Sequence, residues 1–425
     1  MAELDVDLLV VGHGAAGLLC GSLISSRGRN VAIAGRTTTA TALSTGCFTL
    51  FRPPRIALEP SHTDFDMLSR SVAPFNSLFE RSPEDLASSL SEILSFIVPR
   101  LRSQGLPMSG DFNQSYSVLS NTGLPYSCSV SPSYVEKGRF DWNDRDSVAL
   151  LGILGLRDFD PDLAVRTLES AVGRRNIRAY WTQMPEARER YDMSPSEVAA
   201  LGGRVPIEEG VAGVLKELDE DAVGLPPLFP LPRFARKMEF LERQTGKRVF
   251  EVATPMSLPG ERLQDALENV ATQEGCKLMK GLTAVDVEFS GSEASSVIVR
   301  SRSREQRITF SRLIMATGDL VGGGLVQGGD KVEEAISSLQ VETQGGADPY
   351  PSPDPGLSSQ TLRDVMLSGV RADSHLRLFT NQGGTLDNVF GAGSLLSGFS
   401  LPTGVGMGGV LLTSWMAAMN AMEAD

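Results

Sequence analysis

The sequence predicts an α/β fold built on a parallel sheet, and three observations lead to this class. An apolar run at 8–11 meets a glycine-rich loop, and apolar residues then recur at helical spacing up to Gly28. A second strand–helix–strand pattern covers 148–182, and two more glycine-ended apolar runs follow near 313 and 388. Strands and helices that alternate in this way are typical of parallel sheets with helices on both faces.

The first glycine loop has the spacing G-x-G-x-x-G, with its glycines at Gly12, Gly14 and Gly17. Gly12 permits a tight turn, Gly14 lets backbone N–H groups approach a phosphate, and Gly17 lets the helix lie close to the strand. The start of that helix, at Ala15 and Ala16, offers unpaired N–H donors and the positive end of a dipole. We therefore predict a dinucleotide or flavin phosphate here; the alternative is a glycine-rich turn that binds nothing.

The second strand, predicted at 30–34, ends without the acidic residue that often holds a ribose hydroxyl in dinucleotide-binding folds. Gly35 and Arg36 stand there instead. Arg36 is either a group that faces a ribose phosphate or a solvated surface arginine, and the second interpretation is preferred. Farther along, the run Ser44–Gly46 is a candidate to line a cofactor with hydroxyl and N–H groups.

The middle of the chain gives weaker signals. A helix is predicted from a cap at Ser82 to about Pro99, because proline disrupts a helix interior. Residues 106–134 are predicted to be irregular or to hold short strands. The later elements are predicted as a strand at 148–154, a helix at 161–172, a strand at 177–182, polar helices at 186–204 and 210–218, and a proline-rich boundary at 225–232.

The last third of the sequence returns to strands that end in glycines. The predicted elements are a helix at 262–273, a strand at 282–289, a hairpin of 297–303 with 306–310, strands at 313–318 and 388–394, a glycine-rich loop at 398–409 and an amphipathic helix at 410–424. Because the three glycine elements are far apart in sequence but suit one ligand, we predict a discontinuous domain of residues 1–65 and 258–425. Residues 66–257 would form an inserted α/β cap, a substrate region or a partner-binding region.

Composition and charge exclude several functional classes. The formal net charge of −13 disfavours binding to nucleic acid and to anionic lipid. The 4 cysteines are scattered without a C-x-x-C pair, so no metal or iron–sulfur site is predicted and the thiols suit a reducing compartment. Glu3, Asp5 and Asp7 stand where a signal peptide is basic, and no apolar run reaches membrane-spanning length. A cytoplasmic protein is expected.

Three glycine elements together resemble two-domain flavoproteins of the glutathione-reductase and succinate-dehydrogenase kind. They are the first loop, the Ala-Thr-Gly that ends the 313–318 strand, and Phe390-Gly-Ala-Gly393 with the glycine loop after it. The resemblance implies a Rossmann-like FAD-binding domain whose first loop holds the pyrophosphate and whose segment Leu282–Val285 passes the adenine. The last helix, entered at Gly404–Gly409, would point its amino-terminal end at the flavin pyrimidine and stabilise the charge of a reduced flavin.

The predicted cofactor-binding residues come from these segments, and FAD is the flavin that the loop architecture favours. No catalytic residue is named, although an alcohol oxidation needs a base. His13 is expected to contact backbone or phosphate within its loop, whereas His62 and His375 are expected at the surface or in satisfied positions. The predicted cofactor site comprises Gly12, Gly14, Ala15, Ala16, Gly17, Gly35, Arg36, Ser44, Thr45, Gly46, Val285, Ala316, Thr317, Gly318, Gly393, Gly404, Val405 and Gly406.

Four further segments resemble the corresponding segments of one family, the B subunits of anaerobic glycerol-3-phosphate dehydrogenase. They are 31–51, 151–159, 316–325 and 386–399, and the similarity is weakest over 53–143. The resemblance implies a flavin subunit of a complex that oxidises glycerol 3-phosphate to dihydroxyacetone phosphate and feeds quinone or fumarate respiration. FMN is the alternative flavin that this family implies.

Since no metal centre is predicted in this chain, the resemblance implies that electrons leave through a partner subunit, expected to be an iron–sulfur protein. Such partners would place the protein peripherally on the inner face of a membrane. Two alternatives stay open. One is a self-sufficient flavin oxidoreductase of the fumarate-reductase type that acts on a small organic acid. The other is a non-catalytic flavin relay or assembly subunit.

Overall fold

The computed structural model describes residues 2–50, 83–139, 147–173, 176–184, 192–201, 206–302, 304–328, 331–337, 339–342, 368–398 and 406–423. The predicted α/β class is confirmed, because the described chain combines helices with parallel sheets. The helices are α1 (Ala15–Ser25), α2 (Pro83–Ser103), α3 (Ser133–Glu136), α4 (Pro161–Val172), α5 (Pro195–Leu201), α6 (Ile207–Glu217), α7 (Phe234–Thr245), α8 (Leu258–Gln273) and α9 (Met407–Glu423).

The strands fall into one large sheet, one smaller parallel sheet and several short antiparallel pairs. They are β1 (Ala2–Val11), β2 (Val31–Gly35), β3 (Met108–Gly110), β4 (Tyr116–Leu119), β5 (Pro125–Cys128), β6 (Val130–Pro132), β7 (Val148–Ile153), β8 (Ile177–Thr182), β9 (Ala222–Leu225), β10 (Arg248–Glu251), β11 (Lys277–Lys280), β12 (Thr283–Ser290), β13 (Glu293–Arg300), β14 (Glu305–Met315), β15 (Leu325–Gly328), β16 (Lys331–Glu334), β17 (Val341–Glu342), β18 (Gly369–Val370), β19 (Arg377–Phe379) and β20 (Thr385–Gly391).

The large sheet forks at β14. The first half of β14 pairs antiparallel with β13, whereas its second half pairs parallel with β20, where Leu313 lies opposite Val389. On its other side β14 pairs with β1, from Ala2 opposite Gln306 onward. The order is β11–β2–β1–β14–β13–β12, with β20 and then β19 added at the fork. The parallel strands β2, β1, β14 and β20 therefore end at one edge, which is where open α/β sheets bind ligands.

Buried helices cover this sheet. In α1 every residue from Ala15 to Ile24 is buried, because the helix packs on the sheet and against both α8 and α9. The last helix, predicted to be amphipathic, is instead buried on nearly all sides. The reason is that α9 contacts α1, α2 and β20 at once, and a helix enclosed in this way is apolar all round.

The smaller sheet has the order β10–β9–β7–β8, and all its strands are parallel. Its crossover helix α4 begins at Pro161, as predicted, because Asp160 caps the helix through the Leu163 N–H at 2.9 Å. This sheet lies within 148–251, whereas the large sheet is formed by residues 2–35 and 277–391. The division into a discontinuous domain and an insertion stays a prediction.

Several predicted boundaries were wrong. Helix α2 continues through Pro99 to Ser103, because its apolar face continues to Leu101, which is fully buried and holds the last turn in place. Residues 192–194 are not helical, and Asp192 has a positive φ of 66°. The segments predicted as the end of a hairpin and as a separate strand form the single strand β14. In the described ranges, no helix is both long enough and apolar enough to cross a membrane.

Candidate functional site

A cleft of about 800 Å³ lies at the carboxyl edge of the large sheet. Its volume lies within the usual range of small-molecule and cofactor sites, about 300 to 1,000 Å³. Residues from three distant parts of the sequence line it: the loop after β1, the segment Ala316–Gly318 after β14, and Gly406 at the start of α9. The three glycine elements thus contribute to a single cleft.

The loop after β1 has the form that its glycines predict. Gly12 has φ +133°, and a Cβ there would overlap the carbonyl oxygen of Ala316 at the end of β14. A Cβ on Gly17 would overlap the carbonyl oxygen of Gly12, so the first turn of α1 can lie against the loop only with glycine at that position. Gly14 differs, because its φ of −86° is open to any residue and its nearest neighbour is the Thr41 hydroxyl, 3.2 Å from an ideal Cβ.

Replacing Gly12 with alanine is expected to lower the free energy of unfolding by about 3 kcal/mol or more, since it combines an unfavourable φ with a backbone overlap. Chemical denaturation measures the effect. Gly28→Ala is the matched control, because Gly28 also has a positive φ of 85° but an added Cβ meets nothing within 4 Å. If the two variants lose equal stability, the close approach to Ala316 is not what requires glycine at position 12.

The amino-terminal end of α1 is ready to receive an anion. The Ala15 N–H donates to the Thr41 hydroxyl at 2.8 Å, and Leu18 N–H closes the first helical bond to Gly14. The described residues provide no acceptor for the N–H groups of Ala16 and Gly17. Unpaired donors at the positive end of a helix dipole are a general phosphate-binding arrangement.

His13 lies beneath this loop and is 3% exposed. Its Nδ1 is 3.4 Å from Glu268 Oε1, and Gln264 Nε2 donates to the His13 carbonyl at 2.8 Å. Burial lowers the pKa of His13; the Glu268 carboxylate raises it, and Lys280, which is ion-paired with Glu268, lowers it further. The histidine therefore contacts side chains of α8 as well as the backbone, which the sequence did not predict.

The end of β2 also lines the cleft. Gly35 is buried and Arg36 is exposed, and both line the cleft, so the two interpretations of Arg36 stay open. Its guanidinium lies beside Gly323, 2.7 Å from an ideal Cβ on that residue. Arg36 is the only arginine or lysine among the described residues that line the cleft.

Hydroxyl groups form another part of the cleft lining. Thr45 Oγ1 donates to the Tyr126 hydroxyl at 3.2 Å and accepts from the Cys47 N–H at 3.3 Å. Ser120, Asn121 and Thr122 come from the turn between β4 and β5 and line the same wall. These residues belong to the region predicted to be inserted, and no local motif marks them.

The start of α9 is less open than the sequence predicts. The N–H of Gly406 donates to the Leu50 carbonyl at 3.2 Å, and the N–H of Gly408 donates to the Thr49 carbonyl at 2.8 Å. Two donors expected to face a flavin are thus satisfied by the segment that follows Cys47. The helix dipole still points its positive end toward the cleft, which Met407 and Val410 also line.

The structure brings most of the predicted cofactor residues to the cleft. Three buried glycines do not line it: Gly17 and Gly393 pack behind the first loop, and Gly46 packs against Pro259. Gly404 and Val405 lie outside the described residues, as does His62. The predicted residues that line the cleft are Gly12, Gly14, Ala15, Ala16, Gly35, Arg36, Ser44, Thr45, Val285, Ala316, Thr317, Gly318 and Gly406. Their binding of a cofactor stays a prediction.

The part of the chain that the structure describes contains no reactive-thiol site and no metal-binding site among the groups considered below. The four cysteines are buried free thiols. Burial raises the pKa of Cys20 to about 12 and that of Cys276 to about 11, so these thiols stay protonated and unreactive. No group of three or more His, Cys, Asp or Glu side chains is placed to hold a metal in the described ranges.

The residues present fit a flavin nucleotide. The first turn of α1 offers two N–H donors, Gly14 leaves space above them, and two polar atoms of the lining, His13 Nε2 and Thr317 Oγ1, are buried without a partner among the described residues. Buried polar atoms without partners are rare, and bound ligands are one reason for them. When bound, a flavin supplies an acceptor for two electrons, which can arrive together as a hydride.

The chain is similar to known proteins over nearly its whole length. The chain is 25% identical to the B subunit of anaerobic glycerol-3-phosphate dehydrogenase from Pectobacterium atrosepticum, over 98% of each chain. It is 26% identical to the protein of the same name from Yersinia pestis, over 96% of each chain. Among solved structures, a variant of E. coli quinol fumarate reductase aligns with 100% of this chain and 71% of its own, at 9% identity and a TM-score of 0.44.

The family model described as an FAD binding domain matches residues 7–403. That range includes the first glycine loop, the Ala316–Gly318 segment and the hairpin that carries Tyr126. The protein is a flavin-dependent oxidoreductase in which FAD is the favoured flavin. Because the match covers well over half of the 425 residues, the chain belongs to the FAD binding domain family.

Proposed function

We propose that this chain is the flavin-carrying subunit of a dehydrogenase complex that oxidises glycerol 3-phosphate to dihydroxyacetone phosphate. The observation that carries the proposal is the alignment with the B subunit of anaerobic glycerol-3-phosphate dehydrogenase, which runs over 98% of this chain and 98% of that relative. An alignment over both full lengths includes the cleft and the region around β4 and β5, not the nucleotide loop alone.

The polar end of the cleft supports a small hydroxylated substrate. Thr45 and Tyr126 hold hydroxyl groups 3.2 Å apart, and the turn Ser120–Thr122 adds more hydroxyl and amide groups to the same wall. Such groups bind and orient the carbinol of a polyol by donating and accepting hydrogen bonds. Orientation of the reacting carbon toward the cofactor is a large part of the catalysis of such a reaction.

One observation favours a second candidate, the non-catalytic relay. Arg36 is the single cation of the described lining, and its guanidinium lies beside Gly323. A phosphorylated substrate bound at the hydroxyl-rich end would need a cation close to that end. A relay that receives electrons from another subunit has no such requirement.

A partner is part of the proposal because the described residues include no group of three or more His, Cys, Asp or Glu side chains that could hold a metal centre. The four cysteines are buried free thiols, and they form no group of three or more metal ligands in the described ranges. We propose an iron–sulfur subunit as the immediate acceptor and quinone as the final one. Such a complex would lie peripherally on the inner face of the membrane.

The test is anaerobic reduction of the bound flavin, followed by its visible absorbance. We expect glycerol 3-phosphate to bleach the flavin of the purified chain, and we expect added quinone to restore the colour quickly only when co-purified partner subunits are present. If the flavin bleaches only when a partner subunit is present, this chain is the non-catalytic relay and not the subunit that oxidises glycerol 3-phosphate. If the flavin does not bleach under either condition, glycerol 3-phosphate is not the substrate. If the single chain reduces quinone rapidly, no partner subunit is needed.

A further inference from the structure

The end of β2 has no room for the acidic side chain that usually holds a ribose hydroxyl. An ideal Cβ on Gly35 would lie 2.7 Å from His13 Cβ and 2.8 Å from the His13 backbone nitrogen. Contacts this short do not occur, so any side chain at position 35 would displace His13 and the loop that it belongs to. The space that a side chain at position 35 would need is taken by the Cβ and backbone of His13.

The surroundings of His13 determine which of its ring nitrogens carries the proton. Nδ1 faces Glu268 Oε1 at 3.4 Å, and an ionised carboxylate can only accept. Gln264 holds both groups in place, because its Nε2 donates to the His13 carbonyl at 2.8 Å and to Glu268 Oε1 at 2.9 Å. Thr39 in turn donates to Gln264 Oε1 at 2.8 Å. Gln264 Nε2 also lies 3.5 Å from Nδ1, but its two hydrogens go to the His13 carbonyl and to Glu268 Oε1. The carboxylate is therefore the acceptor beside Nδ1, and it favours the neutral imidazole with its hydrogen on Nδ1.

The other ring nitrogen is then an acceptor without a donor. Nε2 of His13 is buried, and the described residues give it no hydrogen-bond partner. His13 lines the cleft beside the start of α1, where the unpaired N–H groups of Ala16 and Gly17 suit a phosphate. The lone pair of Nε2 can accept a hydrogen bond from a hydroxyl group but not from a phosphate oxygen. The unpaired N–H groups and Nε2 together therefore suit a ligand that has a phosphate and a neighbouring hydroxyl group.

We propose that His13 Nε2 accepts a hydrogen bond from the adenosine ribose of FAD. His13 thereby takes the part that an acidic residue at the end of the second strand takes in other dinucleotide-binding folds. FMN has no adenosine ribose, so this contact makes His13 a determinant of FAD over FMN. The inference rests on the flavin site alone and holds whether or not glycerol 3-phosphate is the substrate.

The first measurement compares the Kd of FAD and of FMN for flavin-free protein, followed by quenching of flavin fluorescence. In His13→Phe, which keeps a planar ring but no acceptor, FAD affinity should fall about 10- to 100-fold while FMN affinity stays unchanged. His375→Phe is the matched control, because His375 is exposed and does not line the cleft. Equal weakening of both flavins would overturn the proposal, as would no change in either.

The second measurement needs no variant and so does not depend on how well His13→Phe folds. An FAD analogue whose adenosine ribose lacks its hydroxyl groups should bind the unmodified protein about 10-fold or more weakly than FAD. Where His13→Phe does fold, FAD and the analogue should bind it equally. If the unmodified protein binds the analogue as tightly as FAD, no ribose hydroxyl is recognised and the proposal fails.

Discussion

Gly14→Val is expected to yield a folded protein without flavin. The Gly14 backbone, with φ −86° and ψ −173°, is in the extended region that valine prefers, so the substitution adds no backbone strain. An ideal Cβ lies 3.2 Å from the Thr41 hydroxyl. We expect the two methyl groups beyond it to enter the space above the Ala16 and Gly17 N–H groups. Flavin affinity should fall at least about 100-fold, which corresponds to about 3 kcal/mol.

The measurement is the ratio of flavin to protein absorbance after purification, together with the denaturation midpoint of the flavin-free chain. Gly210→Val on α6 makes the same chemical change at an exposed site where an added Cβ meets nothing within 4 Å, and it should keep full flavin occupancy. Full occupancy in Gly14→Val as well would mean that the phosphate lies elsewhere.

Arg262→Met should destabilise the protein by about 3 to 5 kcal/mol, the usual cost of removing one partner of a buried ion pair. Arg262 on α8 is 1% exposed and Glu251 at the end of β10 is 2% exposed, and the two are ion-paired. The guanidinium also donates to the Phe229 carbonyl at 3.2 Å and lies 3.7 Å from the centre of the Phe234 ring. Burial raises the pKa of Glu251 and Arg262 lowers it, so the variant leaves a carboxylate without its counter-charge.

Urea denaturation of three variants tests this account. Arg262→Met combined with Glu251→Leu should regain most of the lost stability, because no buried charge remains. Arg300→Met is the surface control: Arg300 pairs with Glu305 where both side chains are well exposed, so its loss should cost less than about 1 kcal/mol. A loss below that value in Arg262→Met, or a double variant no better than the single one, would contradict a stabilising role for the pair.

The features that sequence could predict are those with local causes. The loop after β1 follows from its own glycine spacing, and α4 begins at Pro161 because Asp160 and proline act within one turn. The parallel class follows from the alternation of strand and helix patterns. In each case the residues that specify the element are close together in the chain.

The remaining features depend on tertiary contacts. Tyr126 reaches the cleft because the β4–β5 hairpin packs beside Ser44–Thr49, and no local pattern marks that placement. The continuation of α2 past Pro99 depends on the burial of Leu101 in the folded protein, which is a tertiary contact. The missing acid at position 35 is visible in the sequence, but its reason, the volume taken by His13, appears only when β2 and the loop lie side by side.

The pairing of β1 with β14 sets the order of events during synthesis. Ala2 lies opposite Gln306, so this edge of β1 has no partner until some 300 residues more have been translated. At about 5 to 20 residues per second, the delay is about 15 to 60 seconds. During that time the nascent chain exposes an apolar strand edge, a common starting point for aggregation and a target for chaperones. The Ala316 wall of the cleft also forms only then, and Gly406 and Met407 of the same lining are made later still, so the binding cleft is complete only when nearly all of these residues have been translated.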